Sequence, residues 1–184
     1  MEKTILYFDK PGETNTEPTL RLTRLRAEEL GIKQIVVAST HGFTALRAKE
    51  IFTGLPIEII AVSICASFEK EGWTMSADER ADLLKVGIKV LTATHTLGDD
   101  VNEAFGVPTP NLIVRETLYT FCQGMKVAVE IILMAADAGL LDMSSEVIAI
   151  AGTGNGADTA LVLRPAYSRK FKKLRIREII AKPR

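Results

Sequence analysis

Residues 35–50 read IVVASTHGFTALRAKE, and this stretch decides the fold that we predict for the chain. Its first four residues form an apolar run without polar alternation, which is typical of a strand buried on both faces of a mostly parallel sheet. Residues 44–52 then place Ala45, Ala48 and Phe52 on one face of a helix. We therefore interpret the stretch as a strand, a turn and a helix, the unit that alternates through α/β domains.

The turn between this strand and this helix combines hydroxyl groups, an imidazole and a glycine. Its residues and the two that follow are Ser39, Thr40, His41, Gly42, Phe43 and Thr44. A βα turn of this kind directs backbone N–H groups and the positive end of a helix towards an anion, usually a phosphate. A second interpretation stays open, in which Ser39 and Thr40 only cap the helix.

The bulk composition is that of an ordinary globular protein. With 184 residues, 47% apolar and 25% charged, the chain is expected to form one domain over residues 1–184. Lysine plus arginine equal aspartate plus glutamate at 23 each, so net charge favours neither nucleic acid nor membrane as a partner. Cys65 and Cys122 lack the spacing of a zinc site, so we expect no metal and a reducing compartment.

The apolar segments indicate where the chain is expected to reside. The N-terminal apolar run is too short for a signal peptide, and residues 127–141, the most apolar later segment, contain two carboxylates. A cytoplasmic location is therefore predicted.

Strand-like and helix-like segments alternate along most of the chain. The predicted strands cover residues 4–8, 35–38, 57–62, 88–91, 146–151 and 159–165. Capping-box patterns at Thr14 with Glu17, and at Ser76 with Glu79, predict the starts of two helices. The alternation predicts a three-layer α/β/α domain with a mainly parallel sheet, closed by a strand pair that includes an antiparallel member.

Residues 109–139 have a helical pattern that we expect Gly124 to divide into two helices. In the second helix Lys126, Glu130 and Asp137 fall on one narrow stripe. The stripe has two interpretations: a solvent-facing row with one ion pair, or the polar wall of a pocket. The long connection before these helices, residues 92–108, contains His95 and is of a length that often carries function.

A glycine-rich loop follows the strand at residues 146–151. Its candidate ligand-binding residues are Gly152, Thr153, Gly154, Asn155, Gly156, Asp158 and Thr159. A dinucleotide fingerprint requires a helix after the last glycine, whereas a strand pattern follows here. We therefore expect a loop between two strands, which either brings N–H groups close to a ligand or is a flexible hairpin turn.

The C-terminal tail is basic. Six cationic side chains cluster there: Arg169, Lys170, Lys172, Lys173, Arg175 and Arg177. Leu174 and Ile176 alternate with three of them, which favours an edge strand with a charged outer face over a nucleic-acid patch.

Three motifs resemble a known family. The sequence of residues 35–50 with the PIEIIAVS that follows at 56–63 resembles the C-terminal α/β domain of pyruvate kinases, and residues 146–166 resemble that domain's closing strand–loop–strand unit. The chain is most similar to small stand-alone proteins of this fold, largely archaeal, with matching motifs at 37–45, 129–137 and 156–160.

The resemblance implies a phosphate site. In pyruvate kinases the corresponding turn holds a phosphate of the sugar bisphosphate effector, and the glycine loop covers it. This chain has no (β/α)₈ barrel, so kinase activity is expected to be absent. It has His41 and Phe43 where basic residues are usual, and an aromatic side chain beside the turn favours a ring-bearing ligand such as flavin mononucleotide (FMN). The resemblance also implies a homo-oligomer.

Three functions follow as hypotheses. The first is binding of a phosphate-bearing small molecule, FMN or a sugar phosphate, with Thr40, Thr44 and the N–H groups of Gly42 and Phe43 as donors and His41 adding charge when protonated. The alternative is an enzyme in the same cleft, a phosphoester hydrolase or a flavin-dependent catalyst, with His95 and Glu130 as acid and base. The third, which we favour least, is an oligomeric scaffold or RNA-contacting module using the basic tail.

Overall fold

The computed structural model describes residues 2–98 and 101–184, and a seven-stranded sheet runs through it. The strands are β1 Leu6–Phe8, β2 Gln34–Ala38, β3 Glu58–Ile64, β4 Lys89–Ala93, β5 Val147–Ala151, β6 Thr159–Arg164 and β7 Arg175–Pro183. The helices are α1 Thr16–Leu30, α2 Phe43–Ile51, α3 Ala77–Lys85, α4 Val101–Phe105, α5 Pro110–Tyr119 and α6 Gln123–Asp137.

The strand order across the sheet is β1-β7-β6-β5-β2-β3-β4. Strands β5, β2, β3 and β4 pair in parallel, β1 pairs in parallel with β7, and β6 is antiparallel to both of its neighbours. The prediction of a mainly parallel sheet closed by a pair with an antiparallel member is therefore confirmed, and that member is β6.

Alternate side chains of the central strands leave the sheet on opposite faces, as the pleat requires. On one face Val36 and Ile60 belong to a core built with α6, which is buried along nearly its whole length. On the other face Ile35 and Val37 belong to a second core, built with α1, α2 and α3. Two helical layers thus enclose the sheet, and the predicted three-layer architecture is confirmed.

One of the two predicted capping boxes is present. The Glu79 N–H donates to the Ser76 hydroxyl at 3.2 Å, and the Ser76 N–H donates to the Glu79 carboxylate at 2.7 Å. The box predicted at Thr14 is wrong, because a 3₁₀ turn over Glu13–Asn15 delays the helix and α1 begins at Thr16. The Thr16 hydroxyl instead accepts a hydrogen bond from the Ala157 N–H at 2.9 Å, which ties α1 to the glycine loop.

Gly124 does not divide the second helical region. The break between α5 and α6 falls at residues 120–122, and Gly124 lies in the first turn of α6. A Cβ added there would stand 2.5 Å from the Cβ of Thr159. The glycine is needed because α6 packs directly on β6 at this point, a cause that the helical pattern does not reveal.

The predicted C-terminal strand exists, but its interpretation as an edge strand is wrong. Strand β7 lies between β6 and β1, and β1 pairs only with Ala181–Pro183 at its far end. The end at Arg175 pairs only with β6, so its side chains stay exposed while residues 180–183 are buried. Pairing with Leu6–Phe8 of β1 thus places the predicted edge strand inside the sheet.

The carboxyl ends of the parallel strands meet at one edge of the sheet. The strand order changes direction at β2, since the chain continues from β2 to β3 and β4 on one side and places β5 on the other. In α/β sheets, ligands bind in the crevice outside the carboxyl ends of the strands at such a position. Within the described residues, every helix falls short of the length and apolar character needed to cross a bilayer.

Candidate ligand-binding cleft

A cleft of about 680 Å³ opens at the carboxyl ends of β2, β3 and β5. This volume lies within the range of sites that enclose small organic ligands, roughly 300–1,000 Å³. The turn after β2 contributes Ser39, Thr40, His41, Phe43 and Thr44, and the loop after β5 contributes Gly152, Gly154, Asn155 and Gly156. The two segments singled out from the sequence therefore lie on one cleft, although they are more than one hundred residues apart.

The turn after β2 presents backbone donors at the start of α2. Gly42 precedes the helix with φ of 87°, a left-handed conformation that suits glycine, and no side chain caps the helix from this position. The Ser39 hydroxyl accepts from the Ala45 N–H at 3.3 Å, so the capping interpretation holds for Ser39. Among residues 2–98 and 101–184, the N–H groups of Phe43 and Thr44 have no hydrogen-bond acceptor. Two donors at the positive end of α2 are thus available to a ligand.

His41 connects the turn with two neighbouring segments. Its Nδ1 lies 3.2 Å from a carboxylate oxygen of Glu79 on α3, and its Nε2 lies 3.0 Å from the carbonyl oxygen of Gly72. The Ser76 N–H, with help from His41, holds the pKa of Glu79 below its usual range, so this carboxylate is an anion at neutral pH. His41 therefore positions the turn against α3, in addition to lining the cleft.

Four of the predicted site residues do not line the cleft: Gly42, Thr153, Asp158 and Thr159. Asp158 is fully buried, and its carboxylate accepts from the Gly12 N–H at 2.9 Å, the Thr153 N–H at 3.2 Å and the Thr159 hydroxyl at 2.7 Å. These bonds join the glycine loop to the connection after β1. Asp158 and Thr159 thus shape the loop from behind, while its glycines and Asn155 face the cleft.

Aromatic side chains form another wall. Phe68 stacks on Trp73 with ring centroids 5.9 Å apart and planes 14° from parallel, and the His95 ring lies 5.5 Å from Phe68. All three line the cleft together with Tyr119. Sequence reasoning missed Phe68, Trp73 and Tyr119 as site residues; the only available signal was the position of the sole tryptophan in the connection after a predicted buried strand.

Lys126 and Glu130 form an ion pair on the face of α6 that borders the cleft. Only 4% of Lys126 and 2% of Glu130 are exposed, and the second Glu130 oxygen accepts from the Leu97 N–H at 2.9 Å. The solvent-facing interpretation of this stripe is therefore wrong for these two residues. Asp137 belongs to the exposed end of α6, where it accepts from the Ser168 N–H at 3.1 Å. Glu130 and His95, the candidate acid and base, do line the same cleft.

A second cleft of about 560 Å³ lies between α1 and α2 and is more open to solvent. Its cationic side chains, Arg21, Arg24 and Arg47, already pair with carboxylates of Glu17 and Glu28 at 2.6–3.2 Å. An anion there would have to displace these partners. The cleft at the carboxyl ends of the strands is the stronger candidate, because the Phe43 and Thr44 N–H groups have no acceptor in the part of the chain that the structure describes.

Comparison with known proteins gives one family. The sequence model of the family described as "Pyruvate kinase, alpha/beta domain" matches residues 17–163. Two crystal structures of pyruvate kinase from Cryptosporidium parvum are similar to this chain at 16% and 15% identity, with TM-scores of 0.42 and 0.41. Each match covers 85% of this chain and 24% or 23% of the pyruvate kinase, so the chain spans about a quarter of its length. The SAH-bound methyltransferase PaMTH1 from Podospora anserina is similar at 12% identity and a TM-score of 0.33, over 68% of this chain and 49% of that one.

Proposed function

This chain belongs to the pyruvate kinase alpha/beta domain family, and we propose that it binds a small molecule carrying a phosphate group in the cleft at the carboxyl ends of its strands. One observation carries the proposal. The Phe43 and Thr44 N–H groups have no acceptor within the described residues, and the turn that bears them faces the glycine loop across the cleft. Free donors at a helix N-terminus opposite a second backbone-rich loop are the elements of a phosphate cradle.

The phosphate would be held mainly by neutral donors. Thr40 and Thr44 supply hydroxyl groups beside the two N–H groups, and the glycine loop supplies backbone from the other side. The imidazole of the turn, His41, is already in contact with the Glu79 carboxylate. This arrangement resembles glycine-loop sites, in which the helix end and the oriented N–H groups supply most of the positive potential.

The organic part of the ligand would pack against the aromatic wall. Phe43 is 53% exposed beside the turn, and the Phe68–Trp73 stack follows β3 on the same cleft. Flat aromatic faces favour a planar ring, so a mononucleotide such as FMN suits the cleft better than a sugar phosphate does. The proposal does not include kinase activity.

Calorimetric titration with FMN tests the proposal. Thr44 is 4% exposed, and we predict that Thr44→Glu abolishes FMN binding because its carboxylate would occupy the phosphate position and repel the ligand. Thr44→Val, which removes only the hydroxyl, is expected to weaken binding by about tenfold. Thr53→Glu, at an exposed position beyond the end of α2, is the matched control and should bind like the wild type.

Two results would count against the proposal. A folded Thr44→Glu protein that binds FMN with unchanged affinity would contradict the placement of the phosphate. A wild-type protein that binds neither FMN nor ribose 5-phosphate would contradict the function itself.

A phosphoester hydrolase is the second candidate function. It is favoured by His95 and Glu130 lining the same cleft, where one could act as acid and the other as base. The discriminating measurement is release of inorganic phosphate from FMN by the wild type and by His95→Ala. Release that disappears in the variant while FMN binding persists would favour catalysis, and no release from the wild type would favour binding alone.

A further inference from the structure

The inner end of the cleft has a polar character that phosphate binding does not explain. Lys126 and Glu130 lie on α6, on the opposite face of the sheet from α2, whose N-terminus forms the phosphate turn. Of the other α6 residues that line the cleft, Val127, Ile131 and Met134 are apolar, and Gln123 is an exposed polar residue at the start of the helix. The ion pair is thus a buried polar feature on a mostly apolar helix face.

Stability alone is a weak reason for such a pair. The free energy of removing two charges from water is about as large as the free energy gained from their attraction. Proteins in which such a pair is replaced by apolar side chains of similar size are often equally stable or more stable. The other buried residues of α6 are all apolar. A buried pair that borders a cavity in such a helix is a candidate for contact with a ligand, beyond the bond that Glu130 accepts from the Leu97 N–H.

Within residues 2–98 and 101–184, the pair has hydrogen-bonding capacity that its partners do not use. The Lys126 ammonium has three N–H donors, of which one meets Glu130, while the Tyr119 ring lies 5.9 Å away. The Glu130 carboxylate accepts from Lys126 and from the Leu97 N–H, and a carboxylate has about four acceptor positions. The pair therefore offers a donor and an acceptor side by side at the cleft surface.

We propose that Lys126 and Glu130 form a second subsite, which binds the edge of a planar ring where a carbonyl oxygen stands next to an N–H group. This inference rests on the proposed function, because the phosphate turn would hold the other end of the same ligand. Lys126 donates to the carbonyl oxygen and Glu130 accepts from the ring N–H, while the Phe68–Trp73 stack borders the ring. The ligand class is a phosphate ester of a lactam- or imide-containing ring, to which flavins belong.

The test variant is the double substitution Lys126→Met with Glu130→Gln. It removes both charges together, keeps the side-chain volumes and leaves a carbonyl oxygen for the Leu97 N–H. Lys126→Met alone would strand a buried carboxylate and endanger folding. The matched control is Lys85→Met with Asp82→Asn, which removes an exposed ion pair on α3.

FMN and ribose 5-phosphate are the probes, with titration calorimetry and thermal unfolding as the readouts. We expect the double variant to lose about tenfold or more in FMN affinity, to keep its affinity for ribose 5-phosphate, and to unfold near the wild-type temperature. The control pair should leave both affinities unchanged.

Each contrary outcome has a distinct meaning. If the double variant binds FMN as tightly as the wild type while Thr44→Glu does not bind, the pair is structural and only the ring subsite is overturned. If the wild type binds neither probe, the phosphate site fails and the ring subsite fails with it.

Discussion

Gly156 lies in the glycine loop, packed against the start of α1 and the 3₁₀ turn before it. Its φ is 70°, and an added Cβ would stand 2.7 Å from the Cα of Glu13, a backbone atom that has little room to move. Gly154, in the same loop, has the same φ of 70°, but an added Cβ there would have no atom of another described residue, apart from its chain neighbours, within 4 Å. Comparison of Gly154 with Gly156 therefore separates the effect of backbone strain from the effect of close packing within one loop.

We predict that Gly156→Ala lowers the free energy of unfolding by more than Gly154→Ala does. The left-handed φ costs both variants about 1 kcal/mol, and overpacking adds roughly 1–3 kcal/mol at Gly156 alone. Urea denaturation of the two variants measures the difference. Equal losses would show that the loop can move away from α1 and that its position is not fixed by this contact.

At the residue scale, the sequence predicted part of the lining of the candidate cleft. Ser39 to Thr44 and the loop glycines were predicted because turn chemistry is local and appears in the residue types. Asp158 accepts hydrogen bonds from backbone behind the loop, and the sequence does not reveal this, because a polar residue in a glycine loop has the same pattern whether it faces a ligand or the backbone. The burial of Lys126 was left open because a polar stripe on a helix has the same spacing beside solvent and beside a cleft.

The N-terminus of α3 illustrates the element scale, since its capping box also contacts the turn after β2. Glu79 accepts from the Ser76 N–H within the helix start and contacts His41 outside it. The Ser76 N–H is the main cause that holds the pKa of Glu79 below the ordinary value of 4.5, and His41 adds to it. A carboxylate with a lowered pKa contributes stability that is fully present above its ordinary pKa and is lost as the pH falls through the folded-state value.

We therefore predict that the stability difference between wild type and Glu79→Gln is largest at neutral pH. It should stay at its full size while the pH is above the ordinary pKa of 4.5 and shrink as the pH falls below that value, because the wild-type carboxylate then becomes protonated and loses its contacts. Urea unfolding across this pH range measures the difference. Asp78→Asn is the control, because Asp78 lies in the same helical turn but outside the capping box. This variant should still lose unfolding free energy in acid, as the wild type does. A difference that stays constant with pH would contradict the role assigned to the carboxylate.

Elements with strong periodicity were predicted close to their observed bounds. Strand β2 and strand β5 are continuous apolar runs, and the structure has them at Gln34–Ala38 and Val147–Ala151. Helix starts were harder, because the short 3₁₀ turn before α1 uses the same residue types as a cap. The interior position of β7 depends on pairing with β1, which is distant in sequence and leaves no mark on the β7 pattern itself.

At the scale of the whole molecule, the site depends on the order of the strands. The turn after β2 and the loop after β5 meet because β2 and β5 are neighbours in the sheet, with Val36 opposite Ala149. Periodicity predicts that a strand exists but not which strand lies beside it. The prediction that the turn and the loop meet therefore came from the family resemblance and not from the sequence patterns. The volume of the cleft and its aromatic wall depend on three connections at once and were beyond sequence reasoning.

The convergence of the two turns on one ligand can be measured directly by following backbone amide resonances in ¹⁵N–¹H NMR spectra during titration with FMN. We predict saturable shifts of Phe43 and Thr44 after β2 together with Gly154 and Gly156 after β5, all following one binding curve. Shifts confined to one of the two turns, or centred on the arginines between α1 and α2, would contradict a shared phosphate cradle.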